Sequence, residues 1–490
     1  MAPDDAHSPS GPSSPSAPRP SAPSSPSASS APSASGAPSV SSPPSASSVP
    51  SAGPPGPGES RTGRKPLGSR LWLLLAATLS SNATDGFVFF ATPLLALTLT
   101  KDPVQIAAVT AIAQFVPAVL GLLVGDWADR YDRRLLMALA AGLRAVVVAA
   151  LTALVITGTL TMPMLYALVA VFTVGELTFD VNASASVPDV VGTGGELERA
   201  HGMIGAGQQV MQGFIVGPLA PIVFVVAAPL PFGLGAVLAA AACVLVVVLR
   251  ARLRSDGATR RPATPTSMEP EPAEPEPDTS PRGMLEGFRE VRRNIPLRNI
   301  LIVWLSLGVL FMFGQGSFAY YLVEYLGMSE LALSLLLVAL GIGGLIGSLI
   351  AGRLTERFRR RTVLSWGIVL SGLGLFVLGL APAGGMALVV GSAGALVAGL
   401  GSGVWNVVAV AARQRMVPRD LLGRVSGFVT TVFSLVVPFA TMASGWVTRM
   451  EPRMPWLIAG GLTFVLIAVM RPLLAPVDEV GHGGTSPRPS

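Results

Sequence analysis

This 490-residue sequence has few of the side chains on which soluble enzymes depend. It contains one cysteine and three histidines, and only 13% of its residues are charged. Cys243 alone can form neither a disulfide within the chain nor a cysteine-based metal site. His7, His201 and His482 lie outside the long apolar runs, which excludes a histidine proton relay within those runs. We therefore expect no bound metal.

Catalytic motifs are also missing from the sequence. We find no phosphate-binding Walker loop, so ATP hydrolysis is not indicated. The apolar runs hold no Ser-His-Asp set and no cluster of metal ligands that the sequence alone brings together. We expect a protein that is not an enzyme and uses no cofactor.

Long apolar runs are what the sequence has in abundance. Half of its residues are apolar, and several runs exceed the ~20 residues that cross a ~30 Å hydrocarbon layer. The net charge of +6 could suggest nucleic-acid binding, but the basic residues cluster in alternate loops. The positive-inside rule places such loops in the cytoplasm. We predict a multi-pass protein of a bacterial plasma membrane, with both termini cytoplasmic and no nucleic-acid partner.

Twelve apolar spans are predicted, which makes this an all-α membrane protein with two six-helix bundles. The spans of the first bundle (67–250) are 71–97, 104–125, 135–157, 162–185, 202–227 and 230–250. The spans of the second bundle (297–476) are 297–320, 330–352, 362–381, 385–412, 425–448 and 454–474.

The remaining segments differ in composition from the bundles. Residues 1–66 are mostly Ser, Pro, Ala and Gly and are predicted to be disordered, because they cannot bury enough apolar surface. Residues 251–282 contain an acidic proline tract and are predicted to be an extended linker in the cytoplasm. Apolar residues recur at helical spacing between arginines over 283–296, which predicts an amphipathic helix at the membrane surface. Residues 477–490 are predicted to be a cytoplasmic tail.

A charged segment occurs once in each half of the chain, as GDWADRYDRR at 125–134 and as GRLTERFRRR at 352–361. The spacing of glycine, acid and arginines is the same in both copies. A second match pairs Val187-Pro188-Asp189 with Val417-Pro418-Arg419. Two related halves of similar topology are typical of transporters built from repeats.

The repeated segment resembles the cytoplasmic loop motif of the major facilitator superfamily, with Asp132 standing where that family prefers glycine. The stretches 179–189 and 417–425 resemble its drug, macrolide and siderophore exporter branch, which includes the enterobactin exporter. The resemblance implies the major facilitator fold of twelve helices. It also implies a cytoplasmic gate in which Arg130 pairs with Asp180 while Asp129 approaches the start of the eleventh span.

The gate residues form two matching sets. They are Gly125, Asp129, Arg130, Arg133, Arg134 and Asp180 in the first half, and Gly352, Glu356, Arg357, Arg360 and Arg361 in the second. The alternative is that these residues only set the topology and solvate the loops.

Several charged residues are predicted inside spans, where an ionised side chain costs at least ~2.5 kcal/mol and marks a functional site. Asp85 is the leading candidate for proton coupling or cation recognition, although it could be a structural acid bonded to Asn82. Glu176 lies four residues before Asp180, so both share one helix face. Arg144 can pair with Glu176 or with Asp85, and the sequence does not choose between them.

The fifth span carries a partial match to an antiporter motif of the same superfamily, in Gly213, Gly217 and Pro218. Four amides are candidates for a polar cavity: Asn82, Gln208, Gln212 and Asn406. Each could equally serve contacts between helices.

These features predict a secondary active transporter, expected to be a monomer. The leading hypothesis is export of a small amphipathic or cationic compound, driven by protons that move inward. The alternatives are an importer or facilitator of a nutrient on the same fold, and a receptor-like protein that does not transport.

Overall fold

The computed structural model describes residues 69–191, 195–259, 281–417 and 421–474, and every regular element in these ranges is a helix. The first half comprises α1 (Ser69–Leu99), α2 (Pro103–Arg130), α3 (Arg133–Thr157), α4 (Met162–Val191), α5 (Gly195–Gln209), a π-helical segment (Val210–Val216), α6 (Gly217–Val226) and α7 (Leu230–Thr259). The second half comprises α8 (Pro281–Arg293), α9 (Ile295–Gln315), a second π-helical segment (Tyr320–Tyr325), α10 (Glu330–Arg357), α11 (Arg360–Gly379), α12 (Ala387–Met416), α13 (Leu422–Met450), α14 (Met454–Met470) and a 3-10 turn (Arg471–Leu474).

The described ranges contain eleven helical spans that are long and apolar enough to cross a membrane. The α5 helix, the first π-helical segment and α6 together make one of these spans, and α14 is a shorter apolar helix that supplies the twelfth. The predicted all-α fold with twelve crossings, six in each half, is confirmed.

Capping residues at the ends of the helices allow short turns between them. Asp102 caps α2 by accepting a hydrogen bond from the Val104 backbone N–H at 3.0 Å. Asp132 caps α3 in the same way, by accepting hydrogen bonds from the backbone N–H groups of Arg134 and Leu135. Side-chain caps of this kind satisfy N–H groups that have no partner within the helix. Helix α3 ends at Gly158, which adopts a left-handed conformation with φ of 67°.

Glycines bring helices α10 and α12 into close contact. A Cβ added at Gly343 would lie 2.1 Å from the Leu396 carbonyl oxygen, and one at Gly399 would lie 2.1 Å from that of Leu340. Small residues allow backbones to approach in lipid, where the hydrophobic drive between helices is absent. These glycines therefore fix the packing of the second bundle.

The two halves meet at the end of the molecule opposite the charged repeats. We call the end that carries the repeats the motif end. A Cβ at Gly445 on α13 would lie 2.8 Å from the Ala107 Cβ on α2, so these helices touch near the start of α2. Two ion pairs also cross between the halves at this opposite end, Lys101–Glu324 and Asp102–Arg449.

The amphipathic helix α8 packs on the motif end of α13. Glu286 pairs with Arg424, and the ring centroids of Phe288 and Phe428 lie 5.6 Å apart. The predicted helix at 283–296 is therefore present, although it ends at Arg293 and α9 begins at Ile295.

Two predicted boundaries need correction. Helix α7 continues to Thr259 and α8 begins at Pro281, so residues 251–259 and 281–282 of the predicted linker are helical. The run of basic and polar residues after Arg250 hid this extension, because a helix that leaves the membrane no longer needs apolar side chains. The segments predicted at 1–66 and 477–490 lie outside the described residues.

Candidate functional site

A buried ion pair joins helices α3 and α1 near their midpoints. The Arg144 guanidinium contacts Asp85 Oδ1, and the two side chains are only 1% and 4% exposed. Arg144 also donates to Ser81 Oγ at 2.5 Å and to the Ser81 carbonyl oxygen at 3.2 Å. Of the two partners that the sequence left open for Arg144, the structure forms the ion pair with Asp85.

Aromatic and small residues of α4 enclose the Arg144 side chain. The Phe172 ring centroid lies 4.8 Å from Arg144 Cζ, and the Phe179 centroid lies 5.9 Å away. Such contacts stabilise a cation over an aromatic face. A Cβ at Gly175 would lie 2.6 Å from Arg144 Cγ, so only glycine leaves room for the side chain there.

Two further acids surround this pair. Carboxylate oxygens of Asp85, Glu176 and Asp180 all lie within 4.8 Å of one another. Oδ2 of Asp85 and Oδ1 of Asp180 are buried and have no hydrogen-bond partner among the described residues. The structure thus gathers three carboxylates around one guanidinium, which we call the charge cluster.

The charge cluster opens into a cavity of about 180 Å³. Asp85 and Glu176 lie in its wall with Thr92, Thr110 and Gln114, and most of the remaining wall is apolar or aromatic. The Gln114 side chain reaches the second half, where its amide oxygen accepts a hydrogen bond from Thr441 Oγ1 at 2.9 Å. The cavity therefore borders the interface between the bundles and offers an apolar site with a few polar groups, which suits small ligands.

The antiporter-like segment forms the π-helix and the start of α6. Pro218 has no N–H group, which disturbs the regular hydrogen-bond ladder before it. The Gly217 N–H reaches back five residues to the Gln212 carbonyl oxygen, as in a π-helix. A Cβ at Gly217 would lie 3.3 Å from the Phe90 ring, whereas a Cβ at Gly213 would meet only the Gln209 side chain, at 3.5 Å.

One pair of the predicted amides meets in the structure. Gln212 Nε2 donates to Asn82 Oδ1 at 3.1 Å, which joins the π-helical segment to α1 one turn from the charge cluster. Gln208 and Asn406 form no hydrogen bond with the described residues, and Asn406 is exposed.

The predicted gate between Arg130 and Asp180 is not formed in this conformation. Arg130 Nη2 pairs with Asp126 Oδ1 on the same helix at 2.9 Å. Asp180 was expected at the membrane edge, but its carboxylate belongs to the charge cluster, three helical turns before α4 ends at Val191. Helix α4 is longer than the apolar run suggested, which moves Asp180 deeper. The Asp129 side chain lies outside the described residues.

The other residues of the charged repeats lie at the motif end as expected. Arg133 donates to the Ala185 carbonyl oxygen at 2.8 Å, and Arg134 pairs with Asp189 at 3.0 Å. Gly125 is half-buried in α2. In the second half, Gly352, Glu356 and Arg357 are exposed, while Arg360 and Arg361 are half-buried.

Sequence reasoning missed the residues that position Arg144. Ser81 and Gly175 are small residues in apolar runs, where such residues are common and carry no specific signal. Sequence reasoning also did not bring Glu324 and Lys101 together, although these two side chains form an ion pair across the two halves. The opposite charges of Lys101 and Glu324, at predicted outer positions of the two halves, were the signal from which the sequence could have predicted this pair.

Comparison with known proteins agrees with a fold of two six-helix bundles, as in membrane transporters. The Major Facilitator Superfamily matches residues 73–323 and 309–490. The chain therefore belongs to this superfamily, as the repeated loop segment implied. Its apolar helices and this family indicate a multi-pass membrane protein.

The individual relatives and solved structures share low sequence identity with this chain. Macrolide efflux protein A of Streptococcus pyogenes is 24% identical over 203 residues, which is 41% of this chain. The chain spans about half the length of this curated relative, 49%. The crystal structure of the nucleoside transporter NupG matches with a TM-score of 0.60 at 13% identity, covering 83% of this chain and 99% of that one. An inward-facing bacterial homologue of ferroportin matches with a TM-score of 0.58 at 14% identity, covering 84% and 98%.

Proposed function

We propose that the protein is a proton-coupled exporter of small amphipathic compounds, which works by alternating access. The observation that carries this proposal is the charge cluster beside a cavity at the interface of the two bundles. The cluster supplies groups that can exchange a proton, and the cavity supplies a mostly apolar site for the substrate.

The charge balance of the cluster favours proton binding. Fully ionised, its three carboxylates would face one guanidinium. Like charges this close disfavour joint ionisation, and burial disfavours it further. Arg144 already occupies one oxygen of Asp85, so Glu176 and Asp180 are the groups that gain and lose a proton.

The same cluster is a poor site for a metal ion. Three carboxylates within 4.8 Å could coordinate a small cation by geometry. However, the Arg144 guanidinium lies against one of them and would repel the ion. A proton carries less charge to the site and needs no coordination shell, so it is the preferred coupling ion.

Export of an amphipathic compound is supported by the relative and by the cavity wall. The curated relative is a macrolide efflux protein. Phe89 and Phe172 line the cavity together with Thr92, Thr110 and Gln114, a mixture that suits a compound with both apolar and polar parts. Each proton that moves inward through 100 mV supplies about 2.3 kcal/mol for uphill transport.

Alternating access requires that the halves separate at one end while they touch at the other. In this structure they touch opposite the motif end, through Gly445 and the pairs Lys101–Glu324 and Asp102–Arg449. With the motif end in the cytoplasm, this is the arrangement of an inward-facing conformation. We propose that Asp129 and Arg130, with Glu356 and Arg357 of the second half, act as the gate when the protein faces outward.

The test is transport by the purified monomer in liposomes. A fluorescent macrolide or dye is followed while a pH gradient is imposed in either direction, with EDTA present to remove divalent cations. Export coupled to protons predicts that the compound accumulates in liposomes with an acidic lumen, opposite to the direction of proton flow, and that this accumulation is lost in Glu176→Gln. Accumulation that ignores the gradient would contradict coupling. Flux that runs with the proton gradient, rather than against it, would favour the importer.

A further inference from the structure

The two charged repeats differ in how their motif-end charges are balanced. In the first half, Arg134 pairs with Asp189 at 3.0 Å, and Arg250 pairs with Asp132 at 3.1 Å. Each of these arginines has an acid within its own bundle. Two arginines at the motif end of the first bundle are therefore each paired with a carboxylate.

In the second half the matching acids are replaced by arginines. By the alignment of the repeats, Asp132 corresponds to Arg359, and Asp189 corresponds to Arg419, which lies outside the described residues. The same alignment matches Ala185, which accepts the hydrogen bond from Arg133, with Arg415. Positive charge thus accumulates at positions that are acidic or neutral in the first half.

The start of helix α11 also has no side-chain cap. Asp132 caps α3 with its side chain, but Arg359 at the same position of α11 forms no side-chain hydrogen bond to the helix. The first N–H groups of a helix that has no cap favour an acceptor with negative charge. An arginine at the N-cap cannot supply one.

These changes surround a cavity of about 180 Å³ between α10, α11 and α12. Arg360 and Arg415 both lie in its wall, together with Thr355 and Gly352, and the residues that line it include no acid. Neither arginine forms an ion pair or hydrogen bond with another residue that the structure describes. Two guanidinium groups at one small cavity repel each other unless an anion lies between them.

We propose that this cavity is an anion site that takes a phosphate group. Arg360 and Arg415 bind the phosphate oxygens, because guanidinium groups match them with paired, charge-assisted hydrogen bonds. The uncapped first turn of α11 adds backbone donors, as helix N-termini do at phosphates. The phosphate balances charges that acids balance in the first bundle, and it stabilises the packing of α10, α11 and α12.

Two sources can supply this group, an anionic phospholipid headgroup or free inorganic phosphate. The experiment uses the full-length protein and follows its thermal unfolding by tryptophan fluorescence. One arm titrates inorganic phosphate against chloride at constant ionic strength in detergent. The other arm compares nanodiscs of phosphatidylglycerol with nanodiscs of phosphatidylcholine.

The test variant is Arg360→Gln with Arg415→Gln. The matched control is Arg353→Gln with Arg289→Gln, which removes the same charge from exposed positions outside the cavity. Because a ligand that binds the folded state raises its stability, saturable stabilisation is expected in the wild type and in the control. The test variant should bind the phosphate group at least about tenfold more weakly than the wild type.

A third variant keeps the proposal testable if the double variant folds poorly. Arg359→Asp restores the side-chain cap that Asp132 provides in the first half. It should raise the unfolding temperature without phosphate and reduce the response to phosphate. Stabilisation by free phosphate identifies a soluble anion, and stabilisation by phosphatidylglycerol alone identifies a headgroup. The proposal is overturned if neither probe stabilises the wild type more than its reference, or if the control loses the response equally.

Discussion

The stem of Arg144 lies directly against the backbone of Gly175, so that a Cβ at Gly175 would come within 2.6 Å of Arg144 Cγ. Helix α4 therefore sets the position of an arginine that belongs to α3. This contact aims the guanidinium at Asp85 on α1. Three helices meet at one charge, and movement of any one of them changes its surroundings.

The first prediction concerns this contact. Gly175→Ala should displace Arg144 from Asp85 and lower proton-driven transport by up to about 100-fold, because a misplacement near 1 Å at a functional site can cost that much. Transport in liposomes measures it. Gly461→Ala is the matched control, since a Cβ at Gly461 meets nothing within 4 Å. Equal transport by the two variants would show that the position of Arg144 does not matter.

The second prediction compares the partners of the buried ion pair. Arg144→Gln should lower the free energy of unfolding by about 3–5 kcal/mol, because it leaves buried carboxylates without a cation. Asp85→Asn should cost less, because Glu176 and Asp180 remain close to Arg144. Thermal unfolding in detergent measures both changes. A larger loss in Asp85→Asn would mean that Arg144 depends on Asp85 alone.

The third prediction separates proton coupling from substrate binding. Glu176→Gln should abolish accumulation against a pH gradient, yet exchange of labelled for unlabelled substrate should persist, because exchange needs no net proton movement. Glu330→Gln, at the start of α10 and remote from the cluster, is the control for loss of one acid. If Glu176→Gln also lost exchange at saturating substrate, Glu176 would be a substrate ligand rather than a proton carrier.

The fourth prediction concerns the contact between α2 and α13. Gly445→Val should separate these helices, because its side chain would overlap Ala107 and the backbone near Val104. The conformation open at this end should then become more populated. A cysteine at Val104, in a Cys243→Ser background, should react faster with a membrane-impermeant maleimide. Gly385→Val, in an open turn, serves as the control, and unchanged labelling in Gly445→Val would argue against this contact as a gate.

The fifth prediction follows from Asp132. Partial burial raises its pKa, but backbone hydrogen bonds from Arg134 and Leu135 and the charge of Arg250 outweigh this, so the pKa lies below its usual value of 3.8. A depressed pKa means that its stabilising contribution is present above the unfolded-state pKa and is lost as pH falls through the folded-state pKa.

Asp132→Ala should therefore lower stability at neutral pH by about 0.5–2 kcal/mol, the usual value of a helix cap. The difference from the wild type should shrink below about pH 4, where Asp132 of the unfolded chain binds a proton that the folded chain binds only at lower pH. Unfolding temperatures measured from pH 7 down to pH 3 check this. A difference that stays constant over this range would mean that the carboxylate charge contributes nothing.

The sequence by itself determined the number of spans, most of their bounds, and the division into two halves. Hydrocarbon thickness explains this success, because it imposes one length of apolar run on every crossing. The charged repeats also identified the family from ten residues in each half. These signals are local, so no contact between distant segments was needed to read them.

Only the tertiary structure decided which charges meet. The sequence left Arg144 between two acids and placed Asp180 beside Arg130, whereas the folded chain pairs Arg144 with Asp85 and buries Asp180 in the same cluster. The rotation of each helix about its axis sets these contacts, and that rotation depends on small residues such as Ser81 and Gly175. Packing between helices fixes this rotation, and the spacing of residues along a single helix does not reveal it.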